Sequence, residues 1–215
     1  MKIQIMSDEQ RYPIPAETCR VVDEIKRSRF ITTAGYTPSE EEARAFIETI
    51  RGEFADASHN CWAYLVGRPG HTGRVGMSDD REPHGTAGRP MLTVLTHCGV
   101  GDIAVVVTRY FGGTKLGKGG LVRAYSGGVQ KALSALRLSE HVVYTTLLLV
   151  VDYARITMFK RMLPEFEVQV VSEDFETDVT YTLKLPEAKV DVFRLALDNL
   201  THGEAQVEVI ASDEG

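Results

Sequence analysis

The chain has 215 residues, a formal net charge of −6 and a 43% hydrophobic fraction, enough for one large or two small globular domains. No apolar run approaches the roughly 20 residues that cross a bilayer as a helix, and the stretch from Met1 to Arg20 lacks a basic end followed by an apolar core, so neither a membrane span nor a signal peptide is expected. Cys19, Cys61 and Cys98 are odd in number and far apart, which fits neither a disulfide framework nor a CxxC metal site and points to a reducing, cytoplasmic setting.

In chain order, Thr18–Ala34 reads as one or two strands around the basic turn Lys26-Arg27-Ser28-Arg29. Ser39 and Glu42 form a capping box, and Ala43, Phe46, Ile47 and Ile50 recur at helical spacing, so 40–53 is a predicted helix. His59–Val66 reads as a strand, 67–85 as a glycine-punctuated loop and Pro90–Cys98 as a helix with proline in its first turn. Asp102–Tyr110 has an unbroken apolar run and reads as a strand covered on both faces. Gly112–Gly120 is a second glycine loop, after which Leu121, Tyr125, Val129, Ala132 and Leu136 trace a helix face. Beyond His141 the predicted order is strand 142–152, helix 155–163, strands 166–173 and 177–185, a helix opened by Pro186, and strand 207–211. That order is βαββαβ, the ferredoxin-like split unit.

Charge and glycine divide the chain the same way. Residues 1–138 hold 18 Lys and Arg against 15 Asp and Glu, whereas 139–215 hold 6 against 15. Fifteen of the 19 glycines fall between Gly67 and Gly128. The predicted domains are therefore 1–138 and 139–215, with the function in the block from Ser78 to Gly128 and distinct partners for the two halves.

Within that block, Asp79, Asp80 and Glu82 place three carboxylates within four residues. They could hold a hard cation such as Mg²⁺, or they could belong to a surface loop closed by side-chain caps, with Gly85 and Gly88 supplying positive φ. His84 beside them could serve acid–base work. The second string runs from Arg109 through Gly112, Gly113, Lys115, Lys118, Gly119 and Gly120 to Arg123. It follows a buried strand and opens a helix, where free N–H groups, bare glycine and flanking cations suit an anion, with phosphate as the natural ligand. It is neither a Walker loop, because Gly119 stands where Ser or Thr is needed after Lys118, nor a GxGxxG turn; the alternative is a tight strand-to-helix turn. His59 and Cys61 share a strand face and could pair as base and nucleophile, although cysteine is more often an inert core residue. Tyr110, Phe111 and Tyr125 could stack on bases or serve as core.

These strings together resemble a known family. Ser28-Arg29-Phe30-Ile31, His59 with Cys61, Ser78-Asp79-Asp80 with Glu82-Pro83, Gly85-Thr86-Ala87-Gly88-Arg89-Pro90, Arg109-Tyr110-Phe111-Gly112-Gly113, Gly119-Gly120-Leu121 and Arg123-Ala124-Tyr125 are similar to the bacterial branch of the IMPACT family over about residues 15–135. Arg81 stands where that family's pattern has glycine, which puts a tight turn there in doubt. The resemblance implies an α+β chain: an N-terminal domain like domain 2 of ribosomal protein S5, followed by a ferredoxin-like domain similar to domain V of elongation factor G. Eukaryotic members regulate translation by competing for the activator of a kinase that phosphorylates an initiation factor, and that pathway is not bacterial.

The expectation is thus a translation-associated regulatory protein that binds RNA or a ribosome-linked partner, with no cofactor. Arg89, Arg109, Lys115, Lys118 and Arg123 would contact phosphates beside Gly112, Gly113, Gly119 and Gly120; His59, Cys61 and Tyr110 are further motif positions. Two alternatives stand beside it. One is a Mg²⁺-dependent enzyme acting on a phosphorylated small molecule. The other is a protein-interaction module using the acidic C-terminal domain.

Overall fold

The computed structural model describes residues 11–70 and 72–212; the ends of the two sequence-assigned domains, 1–10 and 213–215, lie outside the described residues. The chain divides into two units, one spanning Tyr12–Glu140 and the other comprising His141 onward together with Arg11.

The first unit contains strands β2 (Cys19–Ile25) and β3 (Ser28–Tyr36), helix α1 (Glu40–Glu53), β4 (His59–Leu65), β5 (Val75–Ser78), α2 (Gly88–His97), β6 (Ile103–Tyr110) and α3 (Lys118–Ala135). The strands form one antiparallel sheet in the order β2-β3-β6-β4-β5. Its central strand, β6, is buried from Ile103 to Arg109 because helices cover both faces. On one face Ala43, Ile47 and Ile50 of α1 pack on Tyr64, Val66, Ala104 and Val106. On the other, Met91 and Leu95 of α2 and Leu121, Tyr125 and Val129 of α3 pack on Phe30, Cys61, Val105 and Val107. Ser39 caps α1 through the N–H of Glu42 at 3.1 Å, as its capping signature predicts. The basic turn between β2 and β3 has positive φ at both Lys26 and Arg27, which matches the twist of a tight hairpin.

Three short strands escape the sequence pattern. β1 (Arg11–Pro15) pairs with β7 (Leu138–Val142). β5 lies inside the stretch expected to be loop; its Gly76 sits so close to the Tyr64 ring that a Cβ would come within 2.3 Å of it. A four-residue edge strand built around such a contact carries no alternation to read.

The second unit runs β8 (Tyr144–Val151), α4 (Ile156–Met162), β9 (Gln169–Phe175), β10 (Val179–Pro186), α5 (Val190–Thr201) and β11 (Gln206–Ser212). The sheet order is β11-β8-β10-β9, all antiparallel. Renumbered within the unit this is 4-1-3-2, the ferredoxin-like arrangement of a βαββαβ chain. Strands β8 and β10 alternate buried and half-buried residues. Their buried faces join Phe159 of α4 and Phe193 and Leu197 of α5 in one core. Three boundaries differ most from expectation: Pro186 closes β10 instead of opening a helix, because Glu187–Lys189 forms a 3-10 turn ahead of α5. β9 begins at Gln169 rather than Phe166, because Leu163–Phe166 forms a 3-10 turn that buries Leu163 and Phe166. The strand predicted from Val142 begins at Tyr144 as β8, and Val142 itself ends β7.

Candidate functional site

The sheet delivers three residues of the site through its register. Arg109, near the end of β6, is paired with His59 of β4 and Phe30 of β3. It shares a face with Val107 and Val105, so it points under α3 rather than into solvent. Its side chain is 5% exposed and its Nη1 lies 2.5 Å from Glu82 Oε1. The same oxygen accepts the Tyr125 hydroxyl of α3 at 2.8 Å, and His59 Nε2 stands 3.8 Å away. Arg109 Nη2 donates to Ser28 Oγ at 3.3 Å, and the guanidinium lies 5.4 Å from the Phe30 ring centre and 5.6 Å from that of Phe111. Burial, with Cys61 and Glu82 beside it, pushes the Tyr125 phenol far above its ordinary value, so it remains a hydrogen-bond donor.

This corrects the phosphate role expected for Arg109. Its charge is matched inside the protein by Glu82, and only its Nε–H, also buried, meets no acceptor among the described residues. Tyr125 is fully buried and is core rather than a stacking platform.

The three carboxylates of the acidic loop diverge. Asp79 accepts the N–H groups of Gly85 at 2.8 Å, Ala87 at 3.0 Å and Gly88 at 2.9 Å, and so caps the start of α2. Burial alone would raise the Asp79 pKa; the N–H donors of Gly85, Gly88 and Ala87, and then His84, outweigh it and hold the carboxyl below its ordinary value. Asp80 accepts the Asn60 N–H at 2.6 Å. Glu82 serves Arg109 and Tyr125. These bonds separate the groups of the expected cation site, and no group of three or more His, Cys, Asp or Glu able to hold a metal occurs among the described residues. Of the two glycines expected to supply positive φ, Gly85 does so at +73°. Gly88 does not; its Cβ would stand 2.9 Å from the Ser78 backbone. The turn doubted at Arg81 is present, with Asp80 at φ +35° and Arg81 at +70°, an arrangement that glycine adopts without strain.

His59 donates from Nδ1 to the Asp80 carbonyl at 2.8 Å, which leaves Nε2 to face Glu82. Cys61 is fully buried with its thiol 3.0 Å from the Asp79 carbonyl. Burial pushes that thiol well up; a hydrogen bond with Tyr125 opposes this, and the carboxylates of Glu82, Asp80 and Asp79 add to it. A buried, protonated thiol is not a nucleophile, so the Cys–His pairing is set aside. Tyr110 donates to Asp56 at 2.7 Å and belongs to a separate contact.

The cationic turn is held from below and open above. Gly112 packs so tightly on the β2–β3 hairpin that a Cβ would overlap the Arg27 carbonyl. Phe111 N–H donates to Ser58 Oγ at 3.1 Å, Gly112 N–H to Ser28 Oγ at 3.2 Å, and Arg27 to Thr114 Oγ1 at 2.9 Å. Gly117, at φ +75°, provides the N-cap of α3 without a side-chain bond. The first helical bond runs from Leu121 N–H to the Gly117 carbonyl at 2.9 Å. The N–H groups of Lys118, Gly119 and Gly120 precede it and meet no acceptor among the described residues.

Both loops reach one cleft of about 450 Å³, lined by His59, Arg81, Glu82 and Pro83 on one side and Arg109, Phe111, Lys115 to Lys118 and Leu121 on the other. Lys115 and Lys118 are exposed. Gly113 sits in the same turn at φ +83°. Arg89 does not join them; it borders a second cleft with Asp79, His84 and Gly88. Arg123 is exposed on α3, outside the cleft. In the sequence Glu82 stands as one of an acidic trio, and nothing adjacent to it marks it as the partner of Arg109.

Comparison with known proteins agrees with this architecture. Residues 26–133 match the Impact N-terminal domain, and residues 149–204 match a domain of unknown function, DUF1949. The IMPACT family member YigZ of Escherichia coli K12 is 42% identical, over 92% of this chain and 97% of its own length. An IMPACT family member of Haemophilus influenzae is 37% identical, over 94% of this chain and 98% of its own. A crystal structure described as that of a hypothetical protein superposes with a TM-score of 0.65 at 41% identity, covering 95% of this chain and 99% of its own. The chain belongs to the IMPACT family.

Proposed function

We propose that the chain is a translation-associated binding protein, not an enzyme, and that it holds the phosphates of RNA in the cleft at the start of α3. The observation that carries this reading is that Lys115, Gly117 and Lys118 line the cleft at the start of α3, where the N–H groups of Lys118, Gly119 and Gly120 meet no acceptor among the described residues. Residues 59–131 hold 9 Lys and Arg against 4 Asp and Glu, an excess suited to a polyanion. The folds likened to S5 domain 2 and elongation factor G domain V are both used around the ribosome, which supports the translation setting. The phosphate contacts are assigned to Lys115, Lys118, Gly119 and Gly120, with Arg123 flanking them. The Mg²⁺-enzyme reading is weakened because Asp79 and Asp80 are spent on backbone N–H groups and Glu82 on Arg109.

Fluorescence anisotropy of single-stranded RNA across salt tests it. Binding weakens steeply with salt, and the Lys115→Ala/Lys118→Ala pair binds more weakly with a log–log slope shallower by about 0.7 for each lost contact. Absence of binding at low salt, or a double variant indistinguishable from the parent, removes the reading.

A further inference from the structure

The cleft limits the kind of phosphate it can take. Its volume of about 450 Å³ lies in the range of roughly 300–1,000 Å³ that encloses one small molecule, rather than a groove that follows several nucleotides. Four cationic side chains line it against the single carboxylate of Glu82, and that carboxylate is already bonded to Arg109. Arg109, which lines the cleft with its side chain only 5% exposed, keeps a buried Nε–H that meets no acceptor among the described residues. Native proteins rarely leave such a donor unmatched. An internal phosphodiester carries one charge and two free oxygens; a phosphomonoester carries about −1.5 to −2 and three strong acceptors, a closer match to three N–H groups and the flanking lysines. At the same cleft Phe111 is 48% exposed and lies against the Arg109 guanidinium. This leaves ring surface on which a base can stack.

We infer that the cleft holds a single nucleotide by a terminal phosphate, with the phosphomonoester at the N–H groups of Lys118, Gly119 and Gly120 and the base on Phe111. The inference rests on the phosphate-binding reading above and narrows it. The ligand is either a free mononucleotide or the phosphorylated end of a strand, and the two share this chemistry.

The test is calorimetry on the full chain with adenosine 5′-monophosphate, adenosine, inorganic phosphate, and one short RNA bearing a 5′-phosphate, a 3′-phosphate or hydroxyls at both ends. At least tenfold tighter binding of a phosphorylated species than of its hydroxyl counterpart is expected. The mononucleotide arm separates a free ligand from a strand end. Gly119→Glu supplies the control. A Cβ at 119 meets nothing within 4 Å, and a carboxylate in the first turn favours a helix. The variant should therefore melt no lower than the parent while losing the tenfold preference. Phe111→Ala should weaken nucleotide binding severalfold and leave inorganic phosphate unchanged. If RNA binds equally with and without a terminal phosphate, or if Gly119→Glu retains the preference, the terminal-phosphate assignment is overturned and the RNA reading stands. If nucleotides bind no better than inorganic phosphate, the base contact is overturned. If RNA, nucleotide and phosphate all fail to bind, both readings fall together.

Discussion

The starts of α2 and α3 solve the same physical problem in opposite ways. At α2 the Asp79 carboxylate lies within 3.0 Å of the N–H groups of Gly85, Ala87 and Gly88, so the protein supplies its own anion. At α3 the N–H groups of Lys118, Gly119 and Gly120 meet no acceptor among the described residues, and Gly117 offers no side chain to cap them. Both segments are glycine-rich and charged, yet one is closed by internal bonds and the other has no internal cap among the described residues. The pair Glu82–Arg109 connects them. It carries one end of the acidic loop under α3 and fixes the wall of the cleft. The proposed anion site thus rests on a carboxylate that is unavailable to compete, because it is buried and already matched.

Breaking that connection has the largest expected effect. Glu82→Gln leaves Arg109 charged and buried without its counter-ion and removes the anionic acceptor of the Tyr125 hydroxyl. Removing one partner of such a pair costs about 3–5 kcal/mol, whereas replacing both by apolar side chains of similar size is often near neutral. Denaturant unfolding should place Glu82→Gln lower by about that amount and return most of it in Glu82→Leu/Arg109→Met. A single variant as stable as the parent would show that the pair is not the join between the two loops.

The next test acts on the closed helix start alone. Asp79→Asn keeps an acceptor but removes the charge facing α2, and about 1 kcal/mol is expected from that loss. Because the folded carboxyl titrates below its ordinary value, its contribution is complete above the unfolded pKa near about 4. It is lost as pH falls through the lower, folded value. Parent and variant should therefore differ at neutral pH and converge in acid. A gap that stays constant into acid would mean that the Asp79 charge is not what closes the helix.

Much of this arrangement could be read along the chain, and what could not has a physical reason. β6 was legible because Ile103 to Val107 is an unbroken apolar run. The ferredoxin-like unit was legible because β8 and β10 alternate and α5 repeats Val190, Phe193 and Leu197 at helical spacing. The cationic turn was legible because lysines and glycines there follow a buried strand. The partnership of Glu82 and Arg109 was not, since 27 residues separate them and only the sheet register joins them. One signal was present: Arg109 shares face parity with Val107 and Val105, and a charge on the buried face of a core strand demands a counter-ion. The scattered fates of Asp79, Asp80 and Glu82 were hidden because adjacency in sequence says nothing of direction once Asp80 and Arg81 turn the backbone through positive φ.

The smallest effect gives the sharpest form of the comparison, because matched substitutions at the two helix starts should have opposite signs. Gly88 enters α2 with its Cα against the Ser78 backbone, so the Cβ of Gly88→Ala would stand 2.9 Å from backbone atoms that cannot step aside. Overpacking of this kind costs about 1–3 kcal/mol. Gly119 occupies the corresponding turn of α3 with a helical backbone and nothing within 4 Å of a Cβ. There alanine restricts the unfolded chain without straining the folded one, and Gly119→Ala should stabilise by about 0.4–1 kcal/mol. Thermal melts of the two variants against the parent measure both signs. If Gly119→Ala destabilises as Gly88→Ala does, the start of α3 is a packed turn like that of α2, and the bare glycine is there for folding. If it stabilises while RNA affinity falls, the fold has no use for glycine at 119, and its small size at the open N–H groups serves the ligand; an affinity that stays level removes that role.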